Sequence, residues 1–425
     1  MQPVPSTVIV GANIIDGTGT DPERGTVEIS HGLISMKPYG TERPGGHDGH
    51  RIDLAGYTLL PGLIDAHTHL GIVGNKNDPG LSLAEVAGQI FANGWSALEA
   101  GFTTVRDLGG LDGGMRRAFA SCAVPCPRLL PSGPIICETG GNGDLLPAHE
   151  SHRGAVQGVP GLSTISAPCS GEDDVRRAAR LALLRGATQL KVSATTLDGD
   201  SDDTELTTAE MRAAVEEAQA KGTYVTAHTL NPGGIKNGLA AGITCFEHGG
   251  VDDEATAMAM KAAGAVLVPT LSPEWHAYLR DRPDDDPAQG SHRHHDSWGR
   301  RIRQSLSIAC SAGVLLGLGS DLEGPDQRGR GIELALRALV QDPMSAITAA
   351  TRNNAMIIGQ PRLGTIEEGQ IADLIAVRHD PLQDPDGWSD ASNVVMVIVG
   401  GRVVKDLLGA VGADSGGPGA GGRPR

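Results

Sequence analysis

Two histidines separated by one residue close the stretch Leu60-Pro-Gly-Leu-Ile-Asp-Ala-His67-Thr-His69. The stretch reads as a buried apolar strand. Side chains alternate faces along a strand, so both imidazoles point to the same side. Two imidazoles projecting together from a strand end can hold one metal ion. A His-x-His pair by itself is a weak signal, and four later residues strengthen it. Lys191 lies in Leu190-Lys-Val-Ser-Ala, His228 ends Val225-Thr-Ala-His, His248 ends Cys245-Phe-Glu-His, and Asp321 ends Leu318-Gly-Ser-Asp. Singly, each has an ordinary reading. A strand histidine is commonly a hydrogen-bonded structural residue, a lone lysine snorkels or forms a salt bridge, and Asp321 can cap a turn. Six such residues at the ends of five apolar strands are not explained by core packing. Together they read as one metal site.

The elements that must position them follow a β/α pattern. From about residue 59, apolar strands alternate with Ala/Arg/Glu-rich helical stretches, as in a parallel sheet. Eight strand candidates span residues 59–69, 103–108, 129–137, 189–194, 224–229, 243–248, 265–271 and 314–321. One helical stretch starts at Asp173 and is closed by Gly186. Another starts at Thr208, with a Thr cap, and is stopped by Gly222. Eight units predict an α/β fold, a (β/α)8 TIM barrel over residues 59–363 with reactive groups at the strand carboxyl ends. Residues 1–58 and 364–408 alternate short strands and turns, including a hairpin in Val394–Val404 that turns at Gly400-Gly401. They are expected to form one small β-sandwich domain. The Gly/Ala/Pro-rich tail, residues 409–425, reads as disordered.

Composition narrows the partners. The formal net charge of −16 argues against nucleic acid and against an anionic membrane surface. No run of about 20 apolar residues exists, so no membrane span is expected. The N-terminus has no basic region followed by an apolar core, so no signal peptide is expected. Cys122, Cys126, Cys137, Cys169, Cys245 and Cys310 are scattered and read as free thiols. These features point to a cytoplasmic protein acting on a small molecule.

The order Pro61-Gly-Leu-Ile-Asp-Ala-His-Thr-His, Lys191, His228, His248, Asp321 resembles the metal-dependent amidohydrolase superfamily over nearly the whole chain. The closing stretch from Leu363 to Val377 is similar to that superfamily's return into its β domain. Gly101-Phe-Thr-Thr-Val-Arg-Asp-Leu-Gly-Gly is typical of the branch near imidazolonepropionases and prolidase-like carboxypeptidases. The resemblance implies two divalent ions, usually zinc. His67, His69 and Asp321 would hold one, and His228 and His248 the other. Lys191 would bridge them as a carbamate formed with carbon dioxide. An unmodified lysine, with a pKa of about 10.4, is charged and a poor ligand, whereas a carbamate offers an oxygen to each ion. The implied chemistry is hydrolysis of a C–N bond by a metal-bridging hydroxide, with Asp321 moving the proton to the leaving amine. A mononuclear deaminase would lack the lysine and carry a glutamate near His228, where Thr229-Leu-Asn-Pro offers none. The resemblance also implies a homo-oligomer.

Two departures bear on the substrate. Dipeptidase-like members carry Gly-Gly-His after the third strand, where this chain reads Gly140-Gly-Asn142. They also carry a tyrosine two residues after the fifth-strand histidine, where this chain has Leu230. Losing two carboxylate-oriented groups favours a neutral amide, anilide, carbamate or urea. The alternatives are Xaa-Pro or N-acyl-amino-acid hydrolysis, with Arg106 or His149 holding the carboxylate, and a cyclase or lyase on the same metal barrel. A non-catalytic scaffold is disfavoured by the complete ligand set. Trp275, His276 and Trp298 are expected to line the pocket. His292-Arg-His-His is read as a polar loop over the barrel mouth.

Overall fold

Period-two burial and glycine turns at both ends of the chain build one mixed sheet. The computed structural model describes residues 6–37, 49–73, 81–141, 143–144, 165–196, 203–273 and 291–411, the backbone alone over 291–298. The first strands are β1 (Thr7–Ile14), β2 (Glu23–Ser30), β3 (Leu33–Lys37), β4 (His50–Asp53) and β5 (Thr58–Pro61). β1 pairs with β4 along its first half and with β5 at its end. The change of partner falls beside Gly11, at φ +78°, where a Cβ would sit 3.1 Å from Asp53 Oδ1. Only glycine takes that backbone shape without strain.

Ten parallel strands follow. They are β6 (Leu63–Thr68), β7 (Phe102–Asp107), β8 (Arg128–Pro131), β9 (Ile135–Glu138), β10 (Ser166–Cys169), β11 (Leu190–Ser193), β12 (Val225–Thr229), β13 (Cys245–His248), β14 (Val266–Val268) and β15 (Leu315–Leu316). β6, β7 and β8 form one sheet. The other seven form a second, in the order β10-β9-β11-β12-β13-β14-β15. β6, β7, β11, β12 and β13 are buried along their whole length, as expected of a parallel sheet covered by helices on its outer face. The chain then returns through β16 (Leu374–Val377), β17 (Val394–Val399) and β18 (Arg402–Asp406) to the mixed sheet. Its order is β18-β17-β16-β5-β1-β2-β3. The predicted hairpin is β17–β18, with Gly400 and Gly401 both at positive φ.

Local signals read from sequence set the helices well. Glu172–Leu184 ends before Gly186 at φ 91°. Thr208–Gln219 starts with a reciprocal capping box between Thr207 and Glu210 and ends before Gly222 at φ 70°.

Two expected strands divide and a third is cut to two residues. Residues 59–69 break at Gly62, whose N–H turns to Asp373 O at 2.7 Å while Leu63 N–H turns to Gly101 O at 3.0 Å. β5 therefore belongs to the mixed sheet and β6 to the parallel one. Residues 129–137 break at Ser132-Gly133. β8 stays with β7, and β9 joins β11. Only Leu315–Leu316 of residues 314–321 is strand. The rest is held by Ala66 N–H to Leu318 O at 3.0 Å and Asp321 N–H to His67 O at 2.7 Å. Ala410 and Val411, expected to belong to the tail, pack on the core of the mixed sheet. Residues 412–425 lie outside the described residues.

Candidate metal centre

β6 and the residue that follows it deliver the first two histidines. Their rings lie 5.3 Å apart, centroid to centroid. Adjacent parallel strands β12 and β13 deliver His228 and His248 with rings 4.5 Å apart. His248 is also 4.6 Å from His67. Asp321 enters from the segment bonded to β6. Its Oδ1 lies 3.2 Å from His67 Nε2 and 3.3 Å from His69 Nε2, and its Oδ2 lies 3.5 Å from His248 Nδ1. Candidate ligand atoms of His67, His248 and Asp321 all fall within 4.8 Å of one another. His248 and Asp321 both adopt left-handed backbone, at φ 66° and 49°. A non-glycine residue held there stores of order 1–3 kcal/mol of strain, a cost that clusters at functional sites.

The electrostatics favour lone pairs. Burial pushes His228 down to about 3, with the Lys191 charge adding to the effect. Burial and then His228 hold His248 well below its ordinary value. Burial also pushes the Lys191 amine down to about 8, against the pull of Glu247 and Asp321. Burial works against ionised Asp321, but His67 and His248 hold its carboxyl well below the usual range. His69 is raised against burial by its hydrogen bond to Asp321. His228 and His248 are thus held neutral beside an ionised Asp321 carboxylate.

A divalent cation fits these groups. His67 Nε2, His69 Nδ1 and His228 Nε2 are buried without a hydrogen-bond partner among the described residues. Leaving buried polar atoms unpaired is costly. Imidazole nitrogens and a carboxylate oxygen are the donors that zinc-like ions take.

Among the remaining expected residues, Leu230 is buried two positions beyond His228, with its N–H donating to Thr195 Oγ1 at 3.0 Å. Asn142, Trp275, His276 and His149, and the Trp298 side chain, lie outside the described residues. Ser291–Ala312 is a helix, so His292-Arg-His-His opens a helix instead of forming a loop. Arg106 is not a carboxylate receptor for substrate. Its guanidinium is fully buried and donates to Glu247 Oε1 at 2.6 Å, Tyr224 Oη at 3.1 Å and Ala66 O.

Several polar residues around the site were not anticipated. Glu247 Oε2 accepts from His67 Nδ1 at 2.7 Å. Burial opposes ionisation of Glu247, yet Arg106 and His67 pull it down to about 2. Thr270 Oγ1 lies 2.8 Å from His248 Nδ1. Asp107, pushed up to about 6 by burial, accepts from Gly109 N–H at 3.2 Å beside His69. A charged residue directly before His248 inside an apolar strand was the one sequence signal available for Glu247.

Comparison with known proteins follows the same lines. The model of the amidohydrolase family matches residues 58–404. The chain belongs to the amidohydrolase family. It is similar to ochratoxinase of Aspergillus niger, 29% identical over 97% of this chain and 89% of the relative. The crystal structure of that ochratoxinase superposes with a TM-score of 0.82 at 27% identity, covering 95% of this chain and 96% of the other. A prolidase complexed with N-methylphosphonate-L-proline gives 0.83 at 31% identity, covering 94% and 100%. A Xaa-Pro dipeptidase with bound methionine gives 0.82 at 26%, covering 94% and 100%. This amidohydrolase therefore has a TIM-barrel-type fold and is a hydrolase. No helix among the described residues is long and apolar enough to cross a membrane.

Proposed function

We propose that this amidohydrolase cleaves an amide-type C–N bond of a small molecule at a binuclear centre of two divalent ions, preferably zinc. His67, His69 and Asp321 would hold one ion, and His228 and His248 the other. Lys191, as its carbamate, would lie between them. The single observation that carries this reading is the gathering of buried imidazoles around Asp321, with His67 Nε2, His69 Nδ1 and His228 Nε2 unpaired among the described residues. When bound, the ions supply Lewis acidity that polarises a carbonyl and lowers the pKa of water. The chain supplies the rest. His228 and His248 stay unprotonated at neutral pH. The Asp321 carboxylate takes a proton from the attacking water and returns it to the leaving nitrogen, so that water and amide become acid and amine. A lowered amine pKa leaves a larger neutral fraction of Lys191, the form that reacts with carbon dioxide.

Two bridges between the parallel sheets support a closed (β/α)8 barrel as part of this proposal. One is Ala66 N–H to Leu318 O, and the other is Thr188 N–H to Pro131 O at 2.8 Å. The terminal strands would then form the small β-sandwich domain, with the boundary at Gly62. The six unpaired cysteines support a cytoplasmic location.

For the substrate, Leu230 and the engaged Arg106 support a neutral amide, anilide, carbamate or urea. A second reading, Xaa-Pro hydrolysis, is favoured by the likeness to the prolidase above. Two measurements test the proposal. Elemental analysis of protein grown with zinc and bicarbonate is expected to give about two ions per chain, falling sharply in Lys191→Ala. One ion in both proteins would overturn the binuclear reading. Neutral anilides are expected to give a higher kcat/KM than Xaa-Pro dipeptides, and the reverse order would favour the second reading.

A further inference from the structure

One buried polar knot lies directly behind His67, and four strands contribute to it. Glu247 of β13 accepts from His67 Nδ1 through Oε2. Its Oε1 accepts from Arg106 of β7 at 2.6 Å and from Thr226 Oγ1 of β12. Arg106 Nε donates to Ala66 O, next to His67 on β6, and Nη1 donates to Tyr224 Oη at 3.1 Å. Arg106, Thr226, Glu247 and His67 are all wholly buried. None of the Glu247 contacts is solvent-exposed, so none is a screened surface pair.

The knot has a chemical consequence for the imidazole. The Glu247 carboxylate is paired at 2.6 Å with the permanently charged Arg106 guanidinium, and a carboxylate in such a pair only accepts hydrogen bonds. His67 must therefore carry its proton on Nδ1, which leaves the lone pair on Nε2. That nitrogen is the one without a hydrogen-bond partner, 3.2 Å from Asp321 Oδ1. Glu247 also places negative charge on the far side of the ring, which makes Nε2 a stronger donor toward a cation. Arg106 and Thr226 keep the carboxylate from rotating away.

We propose that Glu247 is a positioning residue: clamped by Arg106 and Thr226, it fixes the His67 tautomer and ring orientation and so strengthens binding of a divalent cation. The inference rests on the metal-centre reading given under Proposed function.

The test uses the full chain, stripped of metal by chelator dialysis and titrated with Zn2+ against a chromophoric competitor. Wild type is compared with Glu247→Gln, Thr226→Val and the double variant Arg106→Met/Glu247→Gln. The expected result is zinc binding about 10–100-fold weaker in Glu247→Gln. Thr226→Val should weaken it in the same direction by less. The visible d–d bands of the Co2+-loaded variants should shift as the ligand field changes. A merely structural role would lower thermal stability and leave the zinc affinity of the folded fraction unchanged. Glu247→Gln leaves Arg106 buried without its partner, which can prevent folding. The double variant leaves no unpaired charge and carries the test in that event. Zinc affinity within twofold of wild type, in either folded variant lacking the carboxylate, overturns the proposal. Failure of wild type to bind zinc at all overturns the metal-centre reading itself, and this inference with it.

Discussion

Asp65, two residues before His67, offers the sharpest test of how the site is held together. Its carboxylate is fully buried and accepts from His67 N–H at 3.1 Å, Ser320 N–H at 3.0 Å, Ser320 Oγ at 2.6 Å and Arg330 Nη1. Arg330 also donates to Thr68 Oγ1 at 2.8 Å and to Gln327 Oε1 at 2.9 Å, and Gln327 Nε2 donates to His69 O at 2.9 Å. One ion pair thus ties the backbone of His67 and His69 to the segment that carries Asp321. Asp65→Ala leaves a buried guanidinium without its partner, a loss of about 3–5 kcal/mol. It also strips the acceptor from two backbone N–H groups, each costing about 1–3 kcal/mol when left unpaired. These losses overlap as the segment relaxes, so a total of roughly 4–6 kcal/mol is expected. Urea unfolding followed by circular dichroism measures it, on metal-stripped protein so that bound ion adds no stabilisation. Asp65→Ala/Arg330→Met should recover part of the loss because no charge is left unpaired. The reasoning fails if Asp65→Ala costs less than about 1 kcal/mol, or if the double variant is no better than the single.

Three further outcomes are expected. A Cβ at Gly319 would collide with His67 Cβ and sit 3.1 Å from Val268 Cγ1, so Gly319→Ala should lower zinc content and cut kcat/KM at least about tenfold while costing about 1–3 kcal/mol in stability; elemental analysis beside a thermal scan checks both. Burial pushes Glu333 up to about 7, against Arg337 and its bonds to Ser272 and Leu271. A folded-state value above the unfolded one means that this group's stabilisation is fully present below about pH 4.5 and is lost as pH rises through about 7. Unfolding midpoints across that window should fall in wild type more steeply than in Glu333→Gln, and parallel curves would refute the assignment. Val411 N–H donates to Asp406 Oδ2 at 3.0 Å, so truncation after Val411 should leave the melting temperature unchanged. Truncation after Leu408 should lower it by about 2 °C per kcal/mol lost; scanning fluorimetry and kcat, expected unchanged in both, decide this.

Much of this amidohydrolase was legible in its sequence because the signals were local. The His67-Thr-His69 alternation, the threonine cap at the start of the helix read from Thr208, Gly222 as a helix stop and the Gly400-Gly401 hairpin depend on residues a few positions apart, where backbone geometry alone dictates the outcome. Of the later residues read at strand ends, His228 and His248 do fall in the last two residues of β12 and β13, whereas Lys191 is the second residue of β11 and Asp321 lies beyond the two-residue β15. The strand divisions at Gly62 and Ser132-Gly133 were not visible, because an apolar run carries no mark of which sheet its N–H groups will join. The partners of the ligands were hidden by distance along the chain. His67 meets Glu247 across 180 positions, and Asp65 meets Arg330 across 265. Sequence reasoning offered Arg106 as a substrate contact, since a lone arginine looks the same whether it faces a pocket or a buried carboxylate. The sequence by itself determined which donors the chain has and in what order they arrive. The tertiary structure decided which carboxylate each buried cation must neutralise, because an ion pair out of water forms only where folding has already brought both charges together.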